Sequence, residues 1–194
     1  MTPGPGQDER RGPVGGIVGV MDASGNPARP LVVTLVVDDQ AQRRWDVLRS
    51  RHFPAHRLVV GAHVTLFHAI PGTREATALA DVHAVAAVTG PFPVTEGAPY
   101  SLGSGVALRV DSPELLAVRA DLAARWAPWL TRQDSQPFRP HVTVQNKVDP
   151  RTARWTLAEL ATLDDGRSAT ATGIALWHYD GGPWSPVGTT PFTG

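Results

Sequence analysis

The chain carries nearly the same four residues twice, His63-Val64-Thr65-Leu66 and His141-Val142-Thr143-Val144. Each phrase offers an imidazole and a hydroxyl two positions apart inside an apolar, β-branched run. In a strand, residues i and i+2 share a face. Each phrase therefore sets a His and a Thr side by side, with Val64 and Leu66, or Val142 and Val144, turned to the core. Two such strands brought together surround one small anion with two imidazoles and two hydroxyls. The chemistry that fits is acid–base catalysis at a phosphate: one neutral imidazole takes a proton and one protonated imidazole gives one, a task suited to His near neutral pH. Thr65 and Thr143 would donate hydrogen bonds to the non-bridging oxygens, whose charge grows in the transition state. Sequence alone leaves open which His is the base.

A single His-x-Thr carries little information, but two copies with the same apolar neighbours are expected by chance in only about one chain in ten thousand. Strict alternation extends the site by one residue on each strand. Phe67 then shares the face of His63 and Thr65 and could stack a base, although a core or groove-lining role is the plainer reading. Gln145 shares the face of His141 and Thr143 and could read a base edge or hold phosphate, or simply end the strand in solvent. Arg139, two residues before His141, could pair with phosphate; Pro140 between them could also break the strand. His68 falls on the opposite face from His63, His83 has no partner at metal-ligand spacing, and His178 is read as structural. His52 and His56 lie in a basic stretch with Arg49, Arg51 and Arg57 that reads as a solvated loop. Trp184, in a Gly/Pro turn, is a candidate lid over the groove.

The elements that must position these residues recur in order. Leu31 to Val37 reads as a buried strand, followed by a helix capped at Asp38 or Asp39 with Ala41, Trp45 and Leu48 on one face. Val59-Val60 leads into the first His-Val-Thr strand, which ends near Ile70, and a helix over 74–88 follows the Pro71-Gly72 turn. In the second half, Val106 to Val110 is a strand. Ser112 caps and Pro113 opens a helix with the stripe Leu115, Val118, Leu122 and Trp126, ended by Pro128. After the second His-Val-Thr strand, Asp149 and Pro150 open a helix to about Leu163. Residues 92–102 and 168–188 supply further strands, with a hairpin turn at Gly181-Gly182-Pro183. The offsets between halves are about 74–75 residues for first strands and helices, 78 for the phrases (63 to 141) and about 77 for second helices. Each half thus reads β–α–β–α, an internal duplication. The expected fold is α+β and bilobal: two pseudo-twofold-related β–α–β–α units whose largely antiparallel sheets line a central groove, with the two motif strands facing each other across it. Residues 1–29, rich in Gly and Pro, are expected to be a mostly flexible tail in which Ile17 to Met21 could form a short strand. Residues 30–194 are expected to form one domain.

Composition narrows the function. Basic and acidic residues balance at 18 each, so the basic surplus of a protein that grips long nucleic acid is missing. A small nucleotide or a strand end is the better substrate, and no long duplex is expected. There is no Cys, hence no thiolate nucleophile and no Cys-ligated zinc. Neither phrase holds a carboxylate, and no His-x-His or HExxH occurs, so metal-free chemistry without a cofactor is expected. No apolar run reaches the length of a membrane span, and the N-terminus lacks signal-peptide order. A cytoplasmic monomer is the expectation.

His63/Thr65 and His141/Thr143, their spacing, and the lead-in Phe138-Arg139-Pro140 make the chain resemble the two-histidine (2H) phosphoesterase superfamily, the 2′-5′ RNA ligase-like proteins, from about Leu31 to Phe192. The resemblance implies a bilobal α+β fold with both HxT motifs lining the groove. It also implies metal-independent phosphodiesterase activity on 2′,3′-cyclic phosphates of RNA ends or small nucleotides, on 2′-5′ linkages, or on related cyclic nucleotides, with reversible 2′-5′ RNA ligation as a further activity. Relatives often carry Arg shortly after the second motif, where this chain has Gln145-Asn146. Alternatives are a metal-dependent hydrolase, a phosphodiesterase for ADP-ribose cyclic phosphate or other cyclic nucleotides, and a non-catalytic RNA- or nucleotide-binding module.

Overall fold

β-Branched runs and capped apolar stripes settle into the predicted order of elements. Residues 29–162 and 166–194 are described in the computed structural model; the Gly/Pro-rich tail, with its candidate strand from Ile17 to Met21, lies outside them except for Arg29. The first half consists of β1 (Leu31–Val37), α1 (Asp39–His52), β2 (Val64–Ile70) and α2 (Glu75–Ala87). After β3 (Phe92–Ser101), the second half runs through β4 (Val106–Asp111), α3 (Pro113–Trp126), β5 (His141–Gln145) and α4 (Pro150–Leu160). The hairpin of β6 (Ser168–Tyr179) and β7 (Trp184–Pro191) closes the chain.

The caps act as the sequence predicts. Asp38 Oδ1 accepts from the N–H groups of Gln40 and Ala41 at 3.0 and 2.9 Å, satisfying donors that the first helical turn leaves free. Ser112 Oγ accepts from Leu115 N, and Asp149 Oδ1 from Arg151 and Thr152. Leu115, Val118, Leu122 and Trp126 are all buried. α4 stops earlier than expected, at Leu160, where the Thr162 hydroxyl donates to the Glu159 carbonyl. Val59 and Val60 lie in the loop that leads into the first motif strand, as expected.

Every strand pairing is antiparallel. From β2, the sheet continues one way through β1 to β6, and from β5 it continues the other way through β4 to β3. On either side of the β2–β5 junction, each half thus places its second strand innermost and its first strand next to it. β3 also pairs with β6, so the six strands close a ring, and β7 adds to β6. The expectation that the motif strands face each other across an open groove needs correction. β2 and β5 meet edge to edge through one pair, Val64 opposite Val142, the central residues of the two motifs.

Both motif strands break register at the same place. Thr65 is opposite Thr34 and Phe67 opposite the adjacent Val33, so Leu66 is an extra residue. Thr143 is opposite Ala107 and Gln145 opposite the adjacent Val106, so Val144 is an extra residue. Each is a β-bulge directly after the motif threonine, and a one-residue slip turns the following side chains to the other face. Gly105 permits the close approach on the β4 side; a Cβ there would lie 2.1 Å from the Gln145 carbonyl oxygen. Among the described residues, no helix is long and apolar enough to cross a membrane.

Candidate active site

From the Val64–Val142 pair, antiparallel geometry brings His63 beside Thr143 and Thr65 beside His141. All four side chains are half-buried, while the two valines are fully buried beneath them. Each imidazole is fixed by the same bond: His63 Nδ1–H donates to the Gly61 carbonyl, and His141 Nδ1–H to the Arg139 carbonyl, both at 2.8 Å and both two residues upstream. A carbonyl only accepts, so the proton of each neutral ring sits on Nδ1 and Nε2 is left for the substrate. The structure thus brings together the four residues on which the sequence reading rests.

Polar residues on α1 hold the loop before His63. Gln42 Nε2 donates to the Ala62 carbonyl at 2.8 Å, Asp46 Oδ1 accepts from Ala62 N at 2.7 Å, and Arg49 Nε donates to the Val60 carbonyl at 3.1 Å. Arg49 also reaches the other half through a 2.6 Å bond from Nη1 to the Thr143 carbonyl. Arg119 on α3 does the reverse, bonding the Leu66 carbonyl at 2.7 Å and the Asp134 carbonyl. Both arginines are 6% exposed. On each side of the single Val–Val pair, where the ladder stops, one buried guanidinium bridges the two halves. Without them these carbonyls would lose charge-assisted hydrogen bonds in a buried setting.

The bulges decide the fate of the flanking candidates. Phe67 is 0% exposed and lies in the core rather than beside Thr65. Its ring packs on Trp126 at 4.7 Å and under the Arg119 guanidinium at 3.7 Å, so it braces Arg119 by a cation–π contact. Gln145 is likewise buried, and its Nε2 donates to Thr156 Oγ1 at 2.8 Å. The same slip carries His68 onto the motif face, where its Nδ1 lies 2.9 Å from Asp134. His178 pairs with Glu75 at 3.1 Å, away from the motifs. Among the described residues, no three His, Asp or Glu side chains gather as a metal site.

The two histidines have different surroundings. Trp184 covers His63, ring centroids 4.6 Å apart, and Trp177 follows at 6.2 Å from Trp184; Trp177 Nε1 is held by Thr34 Oγ1 at 2.9 Å. These rings, with Leu35, Val36, Val59 and Val60, wall a cavity of about 480 Å³. Burial pushes the His63 imidazole down to about 4, more than the Gly61 bond pulls it up. Beside His141 stands Tyr100, edge-on at 6.0 Å. Arg109 pairs with His141 across β4–β5 and places its guanidinium 5.4 Å from the Tyr100 ring centre. A second cavity, of about 490 Å³, is lined by Tyr100, Arg109, Asp111, Phe138 and Arg139. Burial raises the Tyr100 phenol, while Arg109 and Arg139 act in the opposite direction.

Sequence reasoning missed the roles of Arg119, Tyr100 and Arg109, and it read Arg49 as part of a solvated loop, whereas Arg49 is buried on α1. A signal existed for three of them. Arg49 continues the buried Ala41, Trp45 series at i+4, and Arg119 follows Leu115 by four residues on a stripe otherwise apolar. Arg109 alternates with Leu108 and Val110 and so faces the side opposite the core. Tyr100 gave no signal of its own.

Residues 37–183 match the family model described as the 2′-5′ RNA ligase superfamily. Escherichia coli LigT complexed with 3′-AMP is 17% identical with a TM-score of 0.60, over 86% of this chain and 99% of that one. TT0787 of Thermus thermophilus is 15% identical with a TM-score of 0.60, over 85% and 98%. A structure described as a phosphoesterase is 17% identical with a TM-score of 0.61, over 86% and 99%. At these identities the solved structures establish a shared fold. No curated protein matches the chain.

Proposed function

This protein belongs to the 2′-5′ RNA ligase superfamily, and we propose that it is a phosphodiesterase that opens 2′,3′-cyclic phosphates on RNA ends or small nucleotides, using its own imidazoles in place of a metal. The observation that carries the reading is the matched pair of Nδ1–H bonds, which aim two Nε2 atoms from either side of one Val–Val pair. The crystal structures of E. coli LigT with 3′-AMP and with phosphate support a nucleotide ligand for the shared fold.

His63, kept neutral by burial, is the base. Its Nε2 takes a proton from water as the water oxygen bonds to phosphorus. The bond from phosphorus to one ribose oxygen breaks, and His141 gives that oxygen its proton. Thr65 and Thr143 hold the non-bridging oxygens as their charge grows. The product is a ribose phosphomonoester, and exchange with solvent resets both imidazoles. The base of the nucleotide packs in the cavity beside Trp177 and Trp184, where an aromatic face suits a nucleobase.

The test is turnover of a panel in EDTA: nucleoside 2′,3′-cyclic phosphates, cyclic-ended oligoribonucleotides, 2′-5′ linked dinucleotides and ADP-ribose cyclic phosphate. A 2′,3′-cyclic phosphate is expected to be opened in EDTA, with His63→Ala and His141→Ala each losing roughly 10²- to 10⁴-fold. Activity that needs an added divalent ion would overturn the metal-free reading. Nucleotide binding without turnover would favour a binding module.

A further inference from the structure

The cavity beside His141 has no part in opening the phosphate, yet it is built around cations. Arg109 and Arg139 line it together, both exposed, and neither forms an ion pair among the described residues. Asp111 is the one carboxylate in the lining, so the cavity keeps a net positive charge. Tyr100, which lines it, also lies edge-on to the His141 ring at 6.0 Å, so the cavity adjoins the motif residues. The cavity beside His63 is the opposite: apart from His63, no ionisable side chain lines it. An anion attached to the substrate therefore has one favourable direction in which to lie.

The shape of a ribose makes this directional. A ribose that presents its 2′,3′-cyclic phosphate to the two histidines projects its base from C1′ and its 5′ oxygen from C4′, at opposite ends of the ring. With the base against Trp177 and Trp184, the 5′ substituent points towards Tyr100, Arg109 and Arg139. We infer that this cavity binds a second phosphate, the one on the 5′ oxygen of the ribose that carries the cyclic phosphate. Guanidinium groups hold a phosphate by paired N–H bonds. The inference rests on the cyclic phosphodiesterase reading and adds the substrate class: nucleotides phosphorylated at 5′, as in the last residue of an RNA or the pyrophosphate-linked ribose of a dinucleotide.

Two measurements keep the subsite and the activity separately testable. Binding comes first, by calorimetry with adenosine 3′,5′-bisphosphate and 3′-AMP on the full chain. The bisphosphate is expected to bind about tenfold more tightly, and the R109Q/R139Q double variant to lose that difference. Arg154→Gln, the same charge change on the exposed face of α4, is expected to keep it. Equal affinities in the wild type, or a difference that survives R109Q/R139Q, would overturn the subsite whatever the turnover. Turnover comes second, with adenosine 2′,3′-cyclic phosphate, its 5′-phosphorylated form, a cyclic-ended dinucleotide and ADP-ribose cyclic phosphate. Preference for any 5′-phosphorylated substrate over the 5′-hydroxyl nucleoside supports the subsite, and the fastest identifies the carrier; no preference overturns it. Absence of turnover on all four overturns the phosphodiesterase reading, leaving the binding comparison to decide the subsite.

Discussion

The two halves present the same His-Thr pair from the same bulged strand, but the neighbouring strand faces each histidine with a different residue. Leu35 is opposite Val64 and Leu108 is opposite Val142; the next residue outward is Val36 in the first half and Arg109 in the second. The cavity on the Val36 side is lined by Trp184 and Trp177, and the one on the Arg109 side by Tyr100 and Arg139. The two halves thus share the bulged strand that carries each imidazole, whereas single residues around it give the imidazoles different surroundings. The two sides differ in kind: apart from His63 the first is lined by no ionisable side chain, and burial there pushes the imidazole down, while the second carries Arg109 and Arg139.

The comparison breaks first at the histidines. His63→Ala and His141→Ala are expected to lose similar activity on a cyclic phosphate, about 10³-fold each, because acid and base serve one transition state. Loss from only one of them, measured as kcat/KM in EDTA, would dissolve the pairing. Next come the braces. Phe67→Ala removes a fully buried ring that packs on Trp126 and Arg119, and is expected to destabilise the fold by about 3–5 kcal/mol; Arg119→Met, which strips two buried carbonyls of their donor, costs about 2–4 kcal/mol. Urea midpoints check both, and an unchanged midpoint for Phe67→Ala would place its ring on the substrate face after all. Thr65→Val and Thr143→Val are expected to lower kcat by about 10²-fold with folding intact; a change confined to KM would make them ground-state contacts only. The smallest effect is the pH response. With His63 pushed down to about 4, the neutral imidazole stabilises the fold in full above about 6.5, and that contribution is lost as pH falls towards 4. Trp184→Ala lets water reach the ring and is expected to raise its titration towards the ordinary 6.5, followed by NMR on the His63 ring proton.

Most of the frame was legible in the sequence, because caps and stripes are local. Asp38, Ser112-Pro113 and Asp149-Pro150 set helix starts, and the β–α–β–α order expected of each half is the order of elements found. The bulges were not legible. Val64-Thr65-Leu66-Phe67 alternates perfectly on paper, and nothing in one strand reports that its neighbour is a residue shorter. That single physical fact moved both Phe67 and Gln145 into the core and His68 onto the motif face. The bridges by Arg49 and Arg119 depend on contacts between halves, which no window of sequence spans. Arg139 is the one flanking candidate that the structure leaves beside the motifs, through its carbonyl on His141 and its side chain in the second cavity.

The most direct test of the account is the pH dependence of kcat/KM for a nucleoside 2′,3′-cyclic phosphate, measured on the wild type and Trp184→Ala. Activity needs His63 neutral, so it is expected to rise with pH through an acid limb near 4, and Trp184→Ala is expected to move that limb towards 6.5 while leaving the alkaline limb in place. A flat profile, or an acid limb that Trp184→Ala does not move, would contradict the assignment of His63 as the base.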